Sequence, residues 1–161
     1  MKNFIIGILI GGVLGVVGGF AGGIFVFPYL FPPPPVNESV DTATSGSVVA
    51  SGSFVHANPS DSVHYGRGRV SVYPNLVHLE TDFEVGPGPK FHVYLVPDAD
   101  ITSSTRVQDA MFVDLGQLKA FTGSQNYAIP EGVELDKYKS VVIWCEQFDV
   151  LISPAALKFT S

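Results

Sequence analysis

The chain changes its hydrophobic pattern twice. Residues 4–31 carry no charged side chain, roughly 28 positions against the ~20 that cross a hydrocarbon core. Such a run predicts one membrane-spanning helix. Pro28 is expected to end it, because proline lacks the N–H that a continuing helix needs. Phe25, Phe27, Tyr29 and Phe31 then form an aromatic belt at the outer interface. A cleaved signal peptide has a shorter apolar region, about 7 to 15 residues, ending in a small-residue site. Here apolar residues continue past the best such site, around Gly19-Phe20-Ala21, so the segment reads as an uncleaved signal anchor. Lys2 precedes the run, while Glu38 and Asp41 follow it. The positive-inside rule then gives a single-pass protein of the cell (inner) membrane, N-terminus cytoplasmic, remainder periplasmic or extracellular.

Residues 32–46 break the pattern. Pro32 to Pro35 predict a short polyproline II spacer, and the small polar residues after it read as a tether. Asn37-Glu38-Ser39 matches a glycosylation sequon, a short pattern with no second feature to support it. From residue 47 the alternation has period two. Residues 48–55, 67–73, 76–83, 91–96, 140–145 and 150–152 are rich in β-branched and aromatic side chains. Turn signals such as Asn58-Pro59-Ser60-Asp61 and Gly86-Pro87-Gly88-Pro89 separate them. Residues 103–111 are expected to hold at most a short helix. The organisation is thus an anchor over 1–31, a linker over 32–46 and one all-β domain over 47–161, an antiparallel β-sandwich or small barrel.

Glycine recurs at Gly7, Gly11, Gly15, Gly19 and Gly23. A spacing of four puts these on one helix stripe, where a second helix can approach the backbone closely. This predicts a homo-oligomer or a membrane partner that packs on the stripe. The formal net charge is -6 and the pI near 5.0. No basic stripe exists, which excludes nucleic acid as a partner. No nucleophile elbow, phosphate loop, zinc-protease motif or calcium loop is present, which argues against an autonomous hydrolase or transferase. Asp98, Asp100, Asp82 and Glu84 read as solvated loop charges.

One cysteine, Cys145, follows the only tryptophan. It cannot form an internal disulfide, so outside the cytoplasm it is a free thiol, half of an intermolecular bridge, or a ligand. On a strand Val141, Ile143 and Cys145 share one face, and Val142 and Trp144 share the other. Both faces are apolar, which predicts a central, covered strand and a buried thiol. Burial would raise its pKa above ~8.5 and suppress thiolate chemistry. The apolar run stops at Glu146, however, so Cys145 sits at a strand end that can face a pocket. Haem or metal ligation would want a histidine nearby. Of the four histidines, His92 is the first candidate, alternating with Phe91 and Val93, and His64 the second. His56 and His78 read as surface or edge residues. Trp144, Tyr94 and Phe91 read as core aromatics.

Several blocks resemble the electron-transfer DM-thirteen domain family. These are Gly52-Ser53-Phe54, His64-Tyr65-Gly66-Arg67-Gly68-Arg69-Val70, Gly88-Pro89-Lys90-Phe91-His92-Val93-Tyr94-Leu95, Asp114-Leu115-Gly116-Gln117-Leu118-Lys119 and Gln125-Asn126-Tyr127-Ala128-Ile129-Pro130. The most specific is Tyr138-Lys139-Ser140-Val141-Val142-Ile143-Trp144-Cys145-Glu146-Gln147-Phe148. The resemblance spans roughly residues 47–159. That domain occurs in bacterial membrane-anchored proteins and beside DOMON domains in animal matrix proteins. It implies a redox role in which Cys145 acts as a bare thiol or holds a prosthetic group such as haem. Lys90 stands where an acidic residue is common, and Leu151-Ile152-Ser153-Pro154 replaces a more glycine-like turn. Two functions follow as expectations: an extracytoplasmic electron-transfer domain working through Cys145, or a non-catalytic envelope binding or assembly sandwich with a structural Cys145.

Overall fold

The apolar run forms helix α1, Lys2–Leu30, in a computed structural model that describes residues 1–160. By length and composition it is long and apolar enough to cross a membrane. Pro28 does not end it. The proline lies inside the last turn, where only the hydrogen bond to Ile24 is lost, and Phe31 N–H still reaches Phe27 O at 2.9 Å. Pro28 is also buried against the domain, which favours the extra turn. Among the described residues nothing packs on the glycine stripe: a Cβ built at Gly7, Gly11, Gly15, Gly19 or Gly23 has no neighbour within 4 Å.

The remainder forms two sheets. Strands β1 (Val36–Asn37), β2 (Ala50–Phe54), β3 (Gly66–Tyr73), β4 (Leu76–Leu79), β5 (Glu84–Val85), β8 (Gly123–Ala128) and β11 (Lys158–Phe159) make one. Its order is β1-β8-β4-β3-β2-β11, with β5 on β3. Strands β6 (Phe91–Val96), β7 (Val113–Gln117), β9 (Ser140–Cys145) and β10 (Val150–Ala156) make the other, in the order β10-β9-β6-β7. Val70, Val72, Val77 and Leu79 from the first sheet pack with Val93, Leu95, Val141 and Ile143 from the second. The fold is therefore a sandwich and not a closed barrel. A smaller cluster covers the back of the second sheet, where Ile101, Val107 and Phe112 lie on Tyr94, Val142 and Trp144. Strand β9 is covered on both faces, as its unbroken apolar run predicts, and its six residues are all buried. Over residues 103–111 the chain makes only a 3₁₀ turn, Val107–Asp109.

The segment after the prolines is docked. Strand β1 pairs in parallel with β8, and Gly123 adopts φ +91 where a Cβ would fall on the Val36 carbonyl. Ser124 Oγ donates to Glu38 O at 2.7 Å, and Glu38 Oε2 accepts Asn126 N–H at 2.6 Å. Lys119 Nζ reaches both Glu38 oxygens at 2.8 Å. Burial raises the Glu38 carboxyl, but Lys119 and the Asn126 N–H outweigh it and hold the group below its usual range. Helix α2, Thr42–Ser45, follows, with Asp41 capping Ala43 N–H at 3.0 Å. Polar residues that look like a tether here complete a sheet edge.

His78 is not a surface or edge residue. Strand β4 lies between β3 and β8, and His78 is buried with Nδ1 2.6 Å from Asn126 Oδ1. Asp82 and Glu84 are paired as well: Asp82 takes Arg69 Nε at 2.9 Å, and Glu84 takes Arg67 at 2.6 Å.

Candidate functional site

Strand register decides which histidine can meet Cys145. On β6 the residue opposite Cys145 is Phe91, while His92 lies opposite Trp144. Side chains alternate along a strand. Cys145 therefore points into the inter-sheet core with Phe91, and His92 points to the back of the sheet. His64 lines the same cavity as Cys145, and His92 does not.

Cys145 is 1% exposed, and its thiol donates to Pro89 O at 3.3 Å. Burial pushes the thiol pKa up, the N–H groups of Phe148 and Gln147 push it down by less, and the Asp149 and Glu146 charges add to the rise. At neutral pH the sulfur is a protonated thiol. It borders a cavity of about 500 Å³. Val63, Pro89, Phe91 and Phe148 form the domain side of the wall, and Phe25, Val26 and Tyr29 of α1 form the other. Phe25 stacks on Phe148, ring centres 5.1 Å apart and planes 8° from parallel. The end of α1 thus forms one wall of the cavity beside the cysteine.

His64 and Asp61 supply polar groups to this cavity. They lie on the connection between β2 and β3, whose shape Asp61 sets. Its Oδ1 accepts the N–H of Val63 at 2.9 Å and of His64 at 3.0 Å, and its Oδ2 lies 2.6 Å from His64 Nδ1. These hydrogen bonds, the one from the His64 ring first, lower the Asp61 pKa from 3.8 to about 2. Asp61 is therefore a carboxylate, and it holds the proton of His64 on Nδ1, leaving Nε2 for a ligand. Both residues also line a second cavity of about 310 Å³, with Thr105, Arg106 and Trp144, on the back of the sheet. The dyad straddles the sheet end, with an apolar cavity on one side and a more polar one on the other.

The sequence pointed to His64 but not to Asp61. The signal was present: Asp61 closes an Asn-Pro-Ser-Asp turn three residues before a histidine, the spacing at which one carboxylate reaches both a backbone N–H and a ring.

The dyad yields a pH prediction. A lowered folded-state pKa stabilises the protein above the ordinary carboxylate value, and that contribution disappears as pH falls through the folded value. Asp61→Asn should therefore melt about 2–4 °C below wild type at pH 6. The gap should narrow between 3.8 and about 2. Thermal unfolding followed by circular dichroism reads this, and a gap independent of pH would mean that the carboxylate charge is not what holds the turn.

His92 has its own surroundings. Its Nδ1 is 3.0 Å from Asp114 Oδ2, and its Nε2 is 3.5 Å from Glu146 Oε2. One ligand atom from each of the three residues lies within 4.8 Å of the others, a donor set that a divalent cation could use. Glu146 is already engaged, by Lys90 Nζ at 3.0 Å and by Tyr94 O–H at 2.9 Å. Both lower its pKa, Lys90 more. The lysine that departs from the family pattern thus matches a charge that an acidic residue would double.

The prosthetic group implied by the resemblance can be tested against the Cys145 cavity. A haem carries two carboxylates, whereas the charged group on this lining, Asp61, is itself negative. The thiol proton is also committed to a carbonyl. The cavity is a poor host for haem and a good one for a neutral apolar group.

The family described as electron transfer DM13 matches residues 59–157, a stretch that includes Asp61, His64 and Cys145. No curated protein and no solved structure matches the chain.

Proposed function

Because the chain belongs to the electron transfer DM13 family, we propose that it is an electron-transfer domain held on the outer face of a membrane by α1, with the Cys145 cavity as its redox site. One observation supports this above the rest: Cys145 and the Asp61–His64 pair line one cavity, and α1 supplies part of its wall. The residues divide the work. Apolar walls exclude water, which strengthens every electrostatic interaction inside. His64, fixed through Nδ1, presents Nε2 to hold or pass a proton. Cys145 supplies a protonated sulfur at the cavity wall. Lys2 on the near side of the helix supports a domain outside the cytoplasm.

A second reading rests on a specific observation. A sulfur that is 1% exposed and hydrogen-bonded to Pro89 O also suits a structural cysteine in an envelope binding or assembly sandwich. One experiment separates the two. The full chain, purified in detergent from its own membranes, is titrated by spectroelectrochemistry as wild type and as Cys145→Ala. A lone thiol has no reversible couple of its own, so the expected signal is a reversible transition of a redox group bound at the cavity, present in wild type and lost in the variant. No transition, or the same one in both proteins, would leave the structural reading in possession of Cys145.

A further inference from the structure

We infer that the Cys145 cavity binds a membrane-dissolved quinone, with its ring head at His64 and its apolar tail passing along the end of α1 toward the bilayer. This rests on reading the cavity as a redox site, and it names the partner.

Position comes first. Helix α1 has 29 residues and a length of about 43 Å, against ~30 Å of hydrocarbon. With Lys2 at the inner boundary, the last turns emerge at the outer interface. Phe25, Val26 and Tyr29, which wall the cavity, belong to those turns. The cavity therefore lies in the headgroup layer, roughly 5–10 Å beyond the hydrocarbon edge, where a molecule can place a polar head while its tail stays in the bilayer.

Chemistry narrows the occupant. The lining is predominantly apolar, with one hydrogen-bonding pair, Asp61 and His64, at the edge that faces the more polar second cavity. A molecule that fits has an apolar body and a polar head. It carries no net charge, because Asp61 would repel an anion and is already satisfied by three N–H groups. Free fatty acids and anionic phospholipid headgroups fail the second condition. A quinone meets both. His64 Nε2 accepts a hydroquinone O–H when the ring is neutral and donates to a quinone C=O when it is protonated, so it serves both oxidation states. Phe91 and Phe148 border the same space and give a flat head group aromatic neighbours.

The probe is a photoactivatable azidoquinone with a short isoprenoid tail, added to the full chain in phosphatidylcholine vesicles. Adducts are mapped by mass spectrometry, and affinity is read by competition with the unlabelled quinone. Labelling is expected on residues of the cavity wall, displaced by quinone but not by added phospholipid. His64→Gln should weaken binding about tenfold, the scale of one hydrogen bond. Val63→Trp, at a half-exposed position that tolerates bulk, should fill the space and weaken it further. Circular dichroism checks that both variants fold. Labelling confined to the lipid-facing side of α1, equal displacement by phosphatidylcholine, or unchanged affinity in both folded variants would each overturn the inference. Failure here would leave a Cys145-dependent redox transition untouched. Conversely, quinone binding without that transition would sink the electron-transfer reading and not this one.

Discussion

Intact protein in detergent is expected to protect Cys145 from a charged thiol reagent about a thousandfold relative to urea-unfolded protein. The sulfur is 1% exposed, so a reagent in water must wait for the end of β9 to open. An opening that costs ~4 kcal/mol exposes the site roughly once in a thousand. Burial also raises the thiol pKa, which lowers the reactive thiolate fraction further. A small uncharged maleimide should behave differently, because it can partition into the apolar cavity and meet the sulfur there. The two rates, measured by mass spectrometry on quenched samples, separate three arrangements. Fast reaction with the charged reagent would mean that the thiol faces water, against the cavity described above. Protection from the charged reagent alone fits a thiol on a closed apolar cavity. Equal protection from both fits a sealed structural cysteine.

The second large effect lies in the core. Gln125→Ala should destabilise the protein by roughly 3–5 kcal/mol. Gln125 is fully buried on β8, where a polar side chain survives only if every group is satisfied. Its Oε1 accepts Lys119 N–H at 3.1 Å, Ala120 N–H at 3.2 Å and Tyr127 O–H at 2.8 Å, and its Nε2 donates to Ala120 O at 2.8 Å. One amide thus ties the β7–β8 connection to its own strand. Truncation strands two backbone groups of Ala120 and the Tyr127 hydroxyl in the interior. Lys119 N–H keeps a partner, because Tyr127 Oη lies 3.1 Å from it. Tyr127→Phe removes only that hydroxyl and should cost ~1 kcal/mol. Chemical denaturation of the full chain in detergent measures both, and equal losses would show that the amide does not organise this loop.

These two residues mark how far the sequence could be read. Strand β9 is apolar on both faces, which is visible as the unbroken run Val141 to Cys145, and the parity of Val141, Ile143 and Cys145 follows from it. Strands β7 and β8 read Val-Asp-Leu-Gly-Gln and Gly-Ser-Gln-Asn-Tyr-Ala, so their inward positions are filled partly by polar groups and the alternation disappears. Gln125 and Tyr127 look like a polar cleft or hairpin because nothing local says that they satisfy each other. At the site, composition located Cys145 and offered two histidines. Choosing between them required the β6–β9 register, a long-range quantity that no local pattern contains. The docking of β1 was hidden for the same reason: its partners on β8 lie some 85 residues away.

That docking fixes the protein's reach. Between Leu30 at the end of α1 and Val36 at the start of β1 lie residues 31–35, four of them proline, which span about 15 Å when fully extended. Glu38 and Lys119 keep the chain from peeling further, and Phe25 against Phe148 holds the domain down from the other side. With α1 in a membrane, as proposed above, a domain on a leash this short stays at the membrane surface. Its encounters with membrane-dissolved partners would then scale with lateral diffusion and surface density rather than with bulk concentration. A longer leash would extend that reach only by drawing the domain away from Phe25, Val26 and Tyr29, and so from one wall of its own site.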